Sequence, residues 1–380
     1  MALATRAAQA RVERLEVSAY TVPTETDEES DGTLSWDSTT IVVVEVAAGD
    51  ETGLGYTYAD TSVATLIEGK LASVAEGADA LAPPKTWSDM QRALRNLGDS
   101  GIGAMAMSAV DIALWDLKAK LLGVCLADAL PRFRDSVPMY GSGGFCNLSA
   151  EQLREQVRGW LEQGFQSVKI KVGRDGSADP ERVELVRELG GPELEVMVDA
   201  NGANNPVEAA LWARRYREIA DVTYFEEPVS SDDLRGLAYV REHAPPGLAV
   251  AAGEYGWNLP YFQKMLDAGA VDILQADVTR CGGITNMLRV DGLCKARCLP
   301  SSAHCAPAIS AHACCGMETV IHCEYFFDHT RIESMLFDGT LEPERGLLTP
   351  DRSRPGLGLS LNRERAAQYE VYSSEQGGGA

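Results

Sequence analysis

Three acidic residues close short apolar runs in the middle of the chain: Asp199 in VMVDAN, Glu226 in TYFEEP and Glu254 in AVAAGE. Three hard carboxylates with water positions left open suit Mg²⁺. A fourth run, VKIKV at 168–172, carries Lys169 and Lys171 one residue apart. Side chains alternate along a strand, so both lysines point to the same side. Burying one lysine is costly unless it is paired or shifted toward neutral. Like charge beside Lys171 lowers its pKa, so Lys169 is expected to keep a neutral amine available near pH 7 as a general base. Further on, LQAD ends in Asp277, LPSSAH in His304 and VIHCE in Glu324. Asp277 can orient the His304 imidazole and favour its protonated form, giving a second acid–base group across the metal from Lys171.

Each group alone has an ordinary reading. An acid after a strand commonly caps the next helix or is solvated. A single histidine is commonly a satisfied surface or core residue, and Asp277 with His304 could be a structural pair. What argues for one site is coincidence: seven successive runs each end in an ionisable group.

These groups meet only if their strands are parallel and neighbours. From VPMYGSGG onward, apolar runs alternate with amphipathic stretches. Strands are expected at 137–143, 167–172, 195–199, 222–226, 248–253, 271–275, 299–303 and 319–324. Helices are expected at 150–163, 180–189, 206–219, 233–242, 259–268, 283–296 and 308–316. About eight such units imply an α/β fold, a closed TIM-type (β/α) barrel with its chemistry at the C-terminal strand ends. GSGG at 141–144 reads as a tight turn rather than a phosphate cradle.

Before the barrel, RVERLEVSAYTV and TTIVVVEVAAGDETGLGYTY read as strands, the latter a hairpin turning at Gly49-Asp50. TETDEESDGTLS between them is too long for a tight turn and is expected to be a flexible loop or lid, with Trp36 either on the substrate or packed on the cap. Helical patterns follow over 61–128, the clearest ending on Gly123. The divisions expected are 1–136, 137–334 and 335–380, the last packing back on the first. The tail EQGGGA reads as a disordered end.

The formal net charge of -22, from 34 basic and 56 acidic residues, argues against nucleic acid or an anionic membrane as partner. No run of about 18 apolar residues could span a bilayer, and the first residues do not form a charged-then-apolar leader. The nine cysteines form no C-x-x-C pair and lie mainly in apolar runs, as expected of reduced thiols in a cytoplasmic protein. AHCAPAISAHACC holds Cys and His without the ligand spacing of zinc motifs.

The ordered set AMSAVDIALWDLKAK, K-x-K, VDAN, FEEP, AGE, LQAD, SSAH and RPGLG resembles the enolase superfamily, specifically its mandelate racemase subgroup, over nearly the whole chain. The resemblance implies an N-terminal α+β capping domain, completed by the C-terminal tail, over a modified barrel. It implies Mg²⁺ on Asp199, Glu226 and Glu254, with Glu227 behind the ligands. Lys171 would be one base and the Asp277–His304 dyad the other. Glu324 would donate, as a protonated acid, to a substrate carboxylate oxygen, and Asn201 and Lys169 would contact substrate or tune Lys171. Three features depart from the pattern or stay unmatched: the Asp199 to Glu226 spacing, one residue longer than usual, Cys305 directly after His304, and the acidic loop 24–31 at the place of the specificity loop.

The implied reaction abstracts the proton α to a carboxylate of a small-molecule substrate, with Mg²⁺ and Glu324 stabilising the enediolate. Dehydration of a sugar acid, an aldonate or aldarate, to a 2-keto-3-deoxy acid is the expected outcome, and racemisation or epimerisation of a 2-hydroxy acid is the runner-up. A cycloisomerase is disfavoured because its relatives usually carry Lys, not His, on the second face. A non-catalytic metal-binding barrel would show a broken base or ligand position, and all are intact here. A homo-oligomer is expected.

Overall fold

The computed structural model describes residues 10–374, so the EQGGGA tail and the first nine residues lie outside it. Near the N-terminus, strands β1 (Arg14–Pro23), β2 (Ser38–Ala48) and β3 (Glu51–Tyr58) form an antiparallel sheet. The β-branched run of β2 suits a strand covered on both faces: Ile41, Val42, Val43 and Val44 are all buried. One face is covered mainly by α2 (Ile102–Leu122), on which α1 (Pro83–Leu94) packs in turn. Helix α2 is buried on nearly every side because the sheet lies against one face and the barrel against another. Gly55 permits this: a Cβ there would stand 2.2 Å from the Ala109 carbonyl oxygen. Gly123 ends the helix at φ 69°. Within the region 61–128 expected to carry helices, a π-helical turn at Ile67–Leu71 interrupts the first.

Eight parallel strands then close into a barrel: β4 (Val137–Gly143), β5 (Ser167–Lys171), β6 (Glu195–Asp199), β7 (Tyr224–Glu226), β8 (Ala249–Ala252), β9 (Ile273–Asp277), β10 (Ser301–His304) and β11 (Val320–Phe326). Closure is the parallel pairing of β11 with β4, Cys323 opposite Met139. A helix follows each strand: α3 (Ala150–Glu162), α4 (Asp179–Gly190), α5 (Pro206–Ala220), α6 (Leu234–His243), α7 (Leu259–Asp267), α8 (Gly283–Arg297), α9 (Pro307–Cys315) and α10 (Phe327–Leu336). Capping boxes at Ser149/Gln152 and Asn205/Glu208 start α3 and α5. This is the expected TIM-type barrel with its α+β cap. Strand β9 starts and ends two residues later than anticipated, which puts Asp277 on the strand itself.

Strand β12 (Glu370–Ser373) pairs antiparallel with β1, Ser18 opposite Ser373, so the C-terminal segment completes the cap sheet. The cap is joined to the barrel by polar contacts as well: Asp111 of α2 accepts from the Thr285 amide and hydroxyl of α8 at 2.8 and 2.6 Å.

The segment expected to be a flexible loop is instead docked. Glu29–Ser30 pairs with Ser35–Trp36 in a short ribbon. Arg174 donates to the Leu34 carbonyl at 3.0 Å and to Ser35 Oγ at 2.6 Å, and Asn147 Oδ1 accepts from the Ser30 amide at 3.0 Å. The loop's approach requires Gly32: a Cβ there would lie 2.4 Å from the Ala200 carbonyl oxygen at the barrel mouth. Trp36 packs edge-on against Phe145, ring centroids 5.6 Å apart. All nine cysteines are free thiols, and Cys298 alone is exposed. Among the described residues no helix is long and apolar enough to cross a membrane.

Candidate active site

Strand alternation sorts the site. Lys169 and Lys171 on β5, Asp199 on β6, Glu226 on β7, Asp277 on β9, His304 on β10 and Glu324 on β11 are all buried, and Glu254 follows two residues after β8. Register sets their height: Lys171 lies opposite Asp199, and Asp199 opposite Glu226. Asp277 lies opposite His304. Beneath them, Tyr140, Met197, Tyr224, Ala251 and Ile273 fill the barrel with apolar bulk. The rim groups therefore sit on a dry floor where charges interact strongly.

The carboxylates of Asp199, Glu226 and Glu254 converge, one oxygen of each within 4.8 Å of the others. Glu226 Oε1 is buried without a hydrogen-bond partner. An all-oxygen donor set with a buried, unsatisfied anionic oxygen fits a hard divalent cation. Glu227 turns away from strand geometry at φ 37°. Its carboxyl is pushed well above the usual range by burial and by Glu254, Asp199 and Glu226.

Lys169, fully buried, contacts three carboxylates: Glu226 Oε2 at 2.7 Å, Glu324 Oε1 at 2.9 Å and Asp199 Oδ2 at 3.6 Å. Lys171 Nζ donates to Asp199 Oδ2 at 2.5 Å. This reverses the expected shift. Burial is the largest single influence and works against the charged amine, as does Lys169, but Asp199, Glu254 and Glu324 together prevail and the Lys171 pKa is raised. A second correction concerns Glu324. Burial favours its neutral form, yet Lys169, His304 and Lys171 hold its carboxyl below the usual range, so it is ionised rather than a protonated donor. Burial instead pushes Glu226 up to about 8, against the pull of Lys169.

On the far side, His304 Nδ1 lies 2.7 Å from Asp277 Oδ2. The ring's Nε2 lies 3.0 Å from Glu254 Oε2 and 3.4 Å from Glu324 Oε2. Burial opposes the imidazolium, but Cys305, Glu254, Glu324 and the Asp277 hydrogen bond raise the His304 pKa well above its ordinary value. The expected protonated form is thus the favoured one.

Six carboxylates (Asp199, Glu226, Glu227, Glu254, Asp277, Glu324) face four cationic groups (Lys169, Lys171, Arg280, His304). The deficit is two positive charges, and the two acids pushed upward, Glu226 and Glu227, are where it shows.

Lys171, Asn201, Glu254 and His304 all border one cavity of about 370 Å³ under the docked loop. Asn201, at φ 45°, leaves its buried Oδ1 without a partner. A larger cavity, about 750 Å³, lies outside the barrel between α3, α10 and residues 25–29 and holds none of the converging groups.

Sequence reasoning overlooked several participants. Ser142 donates to Glu324 Oε1 at 2.5 Å, and Gln275 donates to Glu226 Oε2 at 3.0 Å. Arg280 donates to Glu254 Oε1 at 3.3 Å. On their own strands Ser142 keeps the inward parity of Tyr140 and Gln275 that of Asp277, the one signal that could have found them.

Residues 16–130 match the family described as "Mandelate racemase / muconate lactonizing enzyme, N-terminal domain", and residues 152–366 match "Enolase C-terminal domain-like". The chain is 32% identical to a 3,6-anhydro-alpha-L-galactonate cycloisomerase of Streptomyces coelicolor, over 95% of this chain and 99% of that protein. It is 30% identical to the L-talarate/galactarate dehydratase of Salmonella typhimurium, over 89% of this chain and 84% of that one. Among solved structures, a mandelate racemase/muconate lactonizing enzyme-like protein from Rubrobacter xylanophilus superposes with a TM-score of 0.93 at 60% identity, covering 95% of this chain and all of that one. A racemase from Streptomyces coelicolor with bound magnesium gives 0.88 at 30% identity, covering 95% and 100%.

Proposed function

Because the chain belongs to the mandelate racemase/muconate lactonizing enzyme family of the enolase superfamily, we propose that it is a Mg²⁺-dependent enzyme that removes the proton α to the carboxylate of a sugar acid. The observation that carries this reading is the pairing of two proton-transfer groups on one cavity. Lys171 stands beside Asp199 and His304 beside Glu254, at the two ends of one carboxylate set.

Asp199, Glu226 and Glu254 are the residues that would hold the metal. A Mg²⁺ ion held there would supply the two missing positive charges and would stabilise the negative charge that builds on the substrate carboxylate. Lys171 takes the α-proton as base, with Lys169 as the neighbour that favours its neutral form once Asp199 is otherwise engaged. His304 holds a proton on Nε2 for the leaving oxygen on the β-carbon. The arriving substrate carboxylate adds negative charge beside Glu324, which favours its protonation and so its role as donor. Asn201 Oδ1 offers an acceptor for a substrate hydroxyl.

Loss of that oxygen as water makes the protein a sugar acid dehydratase, giving a 2-keto-3-deoxy acid from an aldonate or aldarate. The similarity to the talarate/galactarate dehydratase supports this reading. The end-to-end match to the cycloisomerase favours a second one, in which the leaving oxygen belongs to a ring ether and the ring opens with no loss of water. Return of the proton to the opposite face of the α-carbon would make it an epimerase. The free thiols support a cytoplasmic setting.

Screening acid sugars and their anhydro forms in D₂O tests all of these. Apart from solvent deuterium taken up on carbon, a 2-keto acid lighter than its substrate by one water indicates dehydration, one of equal mass indicates ring opening, and an inverted centre alone indicates epimerisation. No exchange of an α-hydrogen with any acid sugar overturns the proposal.

A further inference from the structure

Beside the oxygen triad lies a second constellation of different chemistry. Cys305 Sγ is 3.2 Å from His304 Nε2 and 3.2 Å from Glu324 Oε2, and those two atoms are 3.4 Å apart. All three residues are buried. We propose that His304 Nε2, Cys305 Sγ and Glu324 Oε2 form a second metal site, selective for a thiophilic divalent cation such as Zn²⁺ or Cd²⁺, whose occupation withdraws His304 from proton transfer. The consequence for turnover rests on the acid–base role proposed above for His304; the binding does not.

The geometry is that of one face of a tetrahedron. Zinc bonds of roughly 2.3 Å to sulfur and 2.0–2.2 Å to nitrogen or oxygen require ligand–ligand edges of about 3.4–3.6 Å. The three observed edges fall short of this by no more than a few tenths of an ångström, so small side-chain shifts suffice. His304 and Cys305 both border the cavity, which leaves the fourth position open to water or to a substrate oxygen.

The surroundings are those of a supported metal site. Asp277 fixes the imidazole through Nδ1 at 2.7 Å, leaving Nε2 as the ligating atom. Ser142 and Lys169 hold the other oxygen of Glu324. The Cys305 amide lies 3.3 Å from Glu324 Oε2. Cys305 and Ala306 take consecutive positive φ angles of 49° and 44°, a costly backbone arrangement that fixes where the thiol stands.

Donor type separates the two sites. Mg²⁺ prefers oxygen and gains little from sulfur, whereas zinc and cadmium favour the N, S, O set. Binding releases two protons, one from the thiol and one from His304 Nε2, so a thiolate, a neutral imidazole and the Glu324 carboxylate balance the dication. AHCAPAISAHACC lacked zinc spacing because the third ligand comes from the next strand, nineteen residues beyond Cys305.

The test is equilibrium dialysis of the full chain against Zn²⁺, and against Cd²⁺ with its thiolate absorption, with Mg²⁺ in large excess over Asp199, Glu226 and Glu254. Wild type is expected to take up one more ion per chain than Cys305→Ser, or to bind it more than roughly 10-fold more tightly. His304→Gln should show the same loss. An unchanged stabilisation by Mg²⁺ in each variant shows that it is folded. Equal uptake by wild type and Cys305→Ser, or a loss reproduced only by Cys298→Ser, overturns the site. Uptake of the extra ion by a protein that turns over no acid sugar leaves this site standing and removes the function proposed above.

Discussion

Asp277 holds His304 from behind: its Oδ2 lies 2.7 Å from the imidazole Nδ1, while its Oδ1 accepts the amide and hydroxyl of Thr279 at 2.6 and 2.7 Å. The carboxylate cannot rotate without losing one set of partners. Asp277→Asn should therefore lower proton transfer through His304 by about 10²–10⁴-fold. Exchange of the α-hydrogen through Lys171 should persist. Proton NMR in D₂O with an acid sugar that wild type turns over separates the two. An Asn variant with full turnover would remove the dyad from the mechanism.

Lys169 neutralises Glu226 and Glu324 in a fully buried setting. Lys169→Met leaves both acids facing each other, a loss on the order of 3–5 kcal/mol. Excess Mg²⁺ should recover part of it, because the ion brings charge to Glu226, one of the two. Urea unfolding with EDTA and with Mg²⁺ measures the difference. An equal loss in both would reduce Lys169 to a packing element.

Glu226 and Glu227 are adjacent in sequence but differ in their part. Mg²⁺ at about 100 times its dissociation constant should stabilise wild type by about 2.7 kcal/mol. Asp199→Asn and Glu226→Gln should abolish that gain, while Glu227→Gln, whose parent carboxyl is already driven toward its neutral form, should keep it. Thermal unfolding with and without the ion decides, and a Glu227→Gln variant that no longer responds would reassign the ligand.

Glu333 lies far from the metal ligands in sequence and supports the cap. Its Oε1 accepts the Tyr56 hydroxyl at 2.5 Å. Burial pushes its carboxyl up to about 8, with Tyr56 and Ala308 opposing. A folded-state pKa above the unfolded value of about 4.3 means that the fold favours the neutral acid. Its contribution is therefore complete below about pH 4.3, declines as pH rises, and is lost above about pH 8. Glu333→Gln should gain on wild type across that window, by up to about 5 kcal/mol, and hold level above it. Urea unfolding over a pH series checks this; a difference that does not change with pH would show that Glu333 is ionised throughout.

Gly32 lets the docked loop reach the barrel mouth. Gly32→Ala should lift the loop and raise KM by roughly 10-fold or more, with Mg²⁺ stabilisation unaffected. Steady-state kinetics alongside a Mg²⁺ melt would show it, and unaltered KM would mean that the loop does not close on substrate.

Much of this was legible in the sequence because strand parity is a rigid rule. Lys169, Lys171, Asp199, Glu226, Asp277, His304 and Glu324 each end an apolar run, so their convergence followed from the strand count. Charge state was not legible, since it depends on tenths of an ångström. Lys171 was expected to feel Lys169 most, but Asp199 stands 2.5 Å away and is the strongest of the neighbouring charges. Glu324 was expected to be neutral, but two lysines and an imidazole surround it. The loop at 24–35 looked free because its anchors, Asn147 and Arg174, lie more than a hundred residues downstream.

The pairing of β12 with β1 has a consequence for how the protein is made. The Val17 amide donates to Ser374 Oγ, 357 residues later. At ~5–20 residues per second, a ribosome leaves that edge of the first strand unpaired for roughly 20–70 s. The barrel can be synthesised and closed in that interval, while the sheet that roofs it still lacks a strand. Latching of the roof is thus a late event in the life of each nascent chain, and an unlatched edge is open to capture by a neighbouring chain until it occurs.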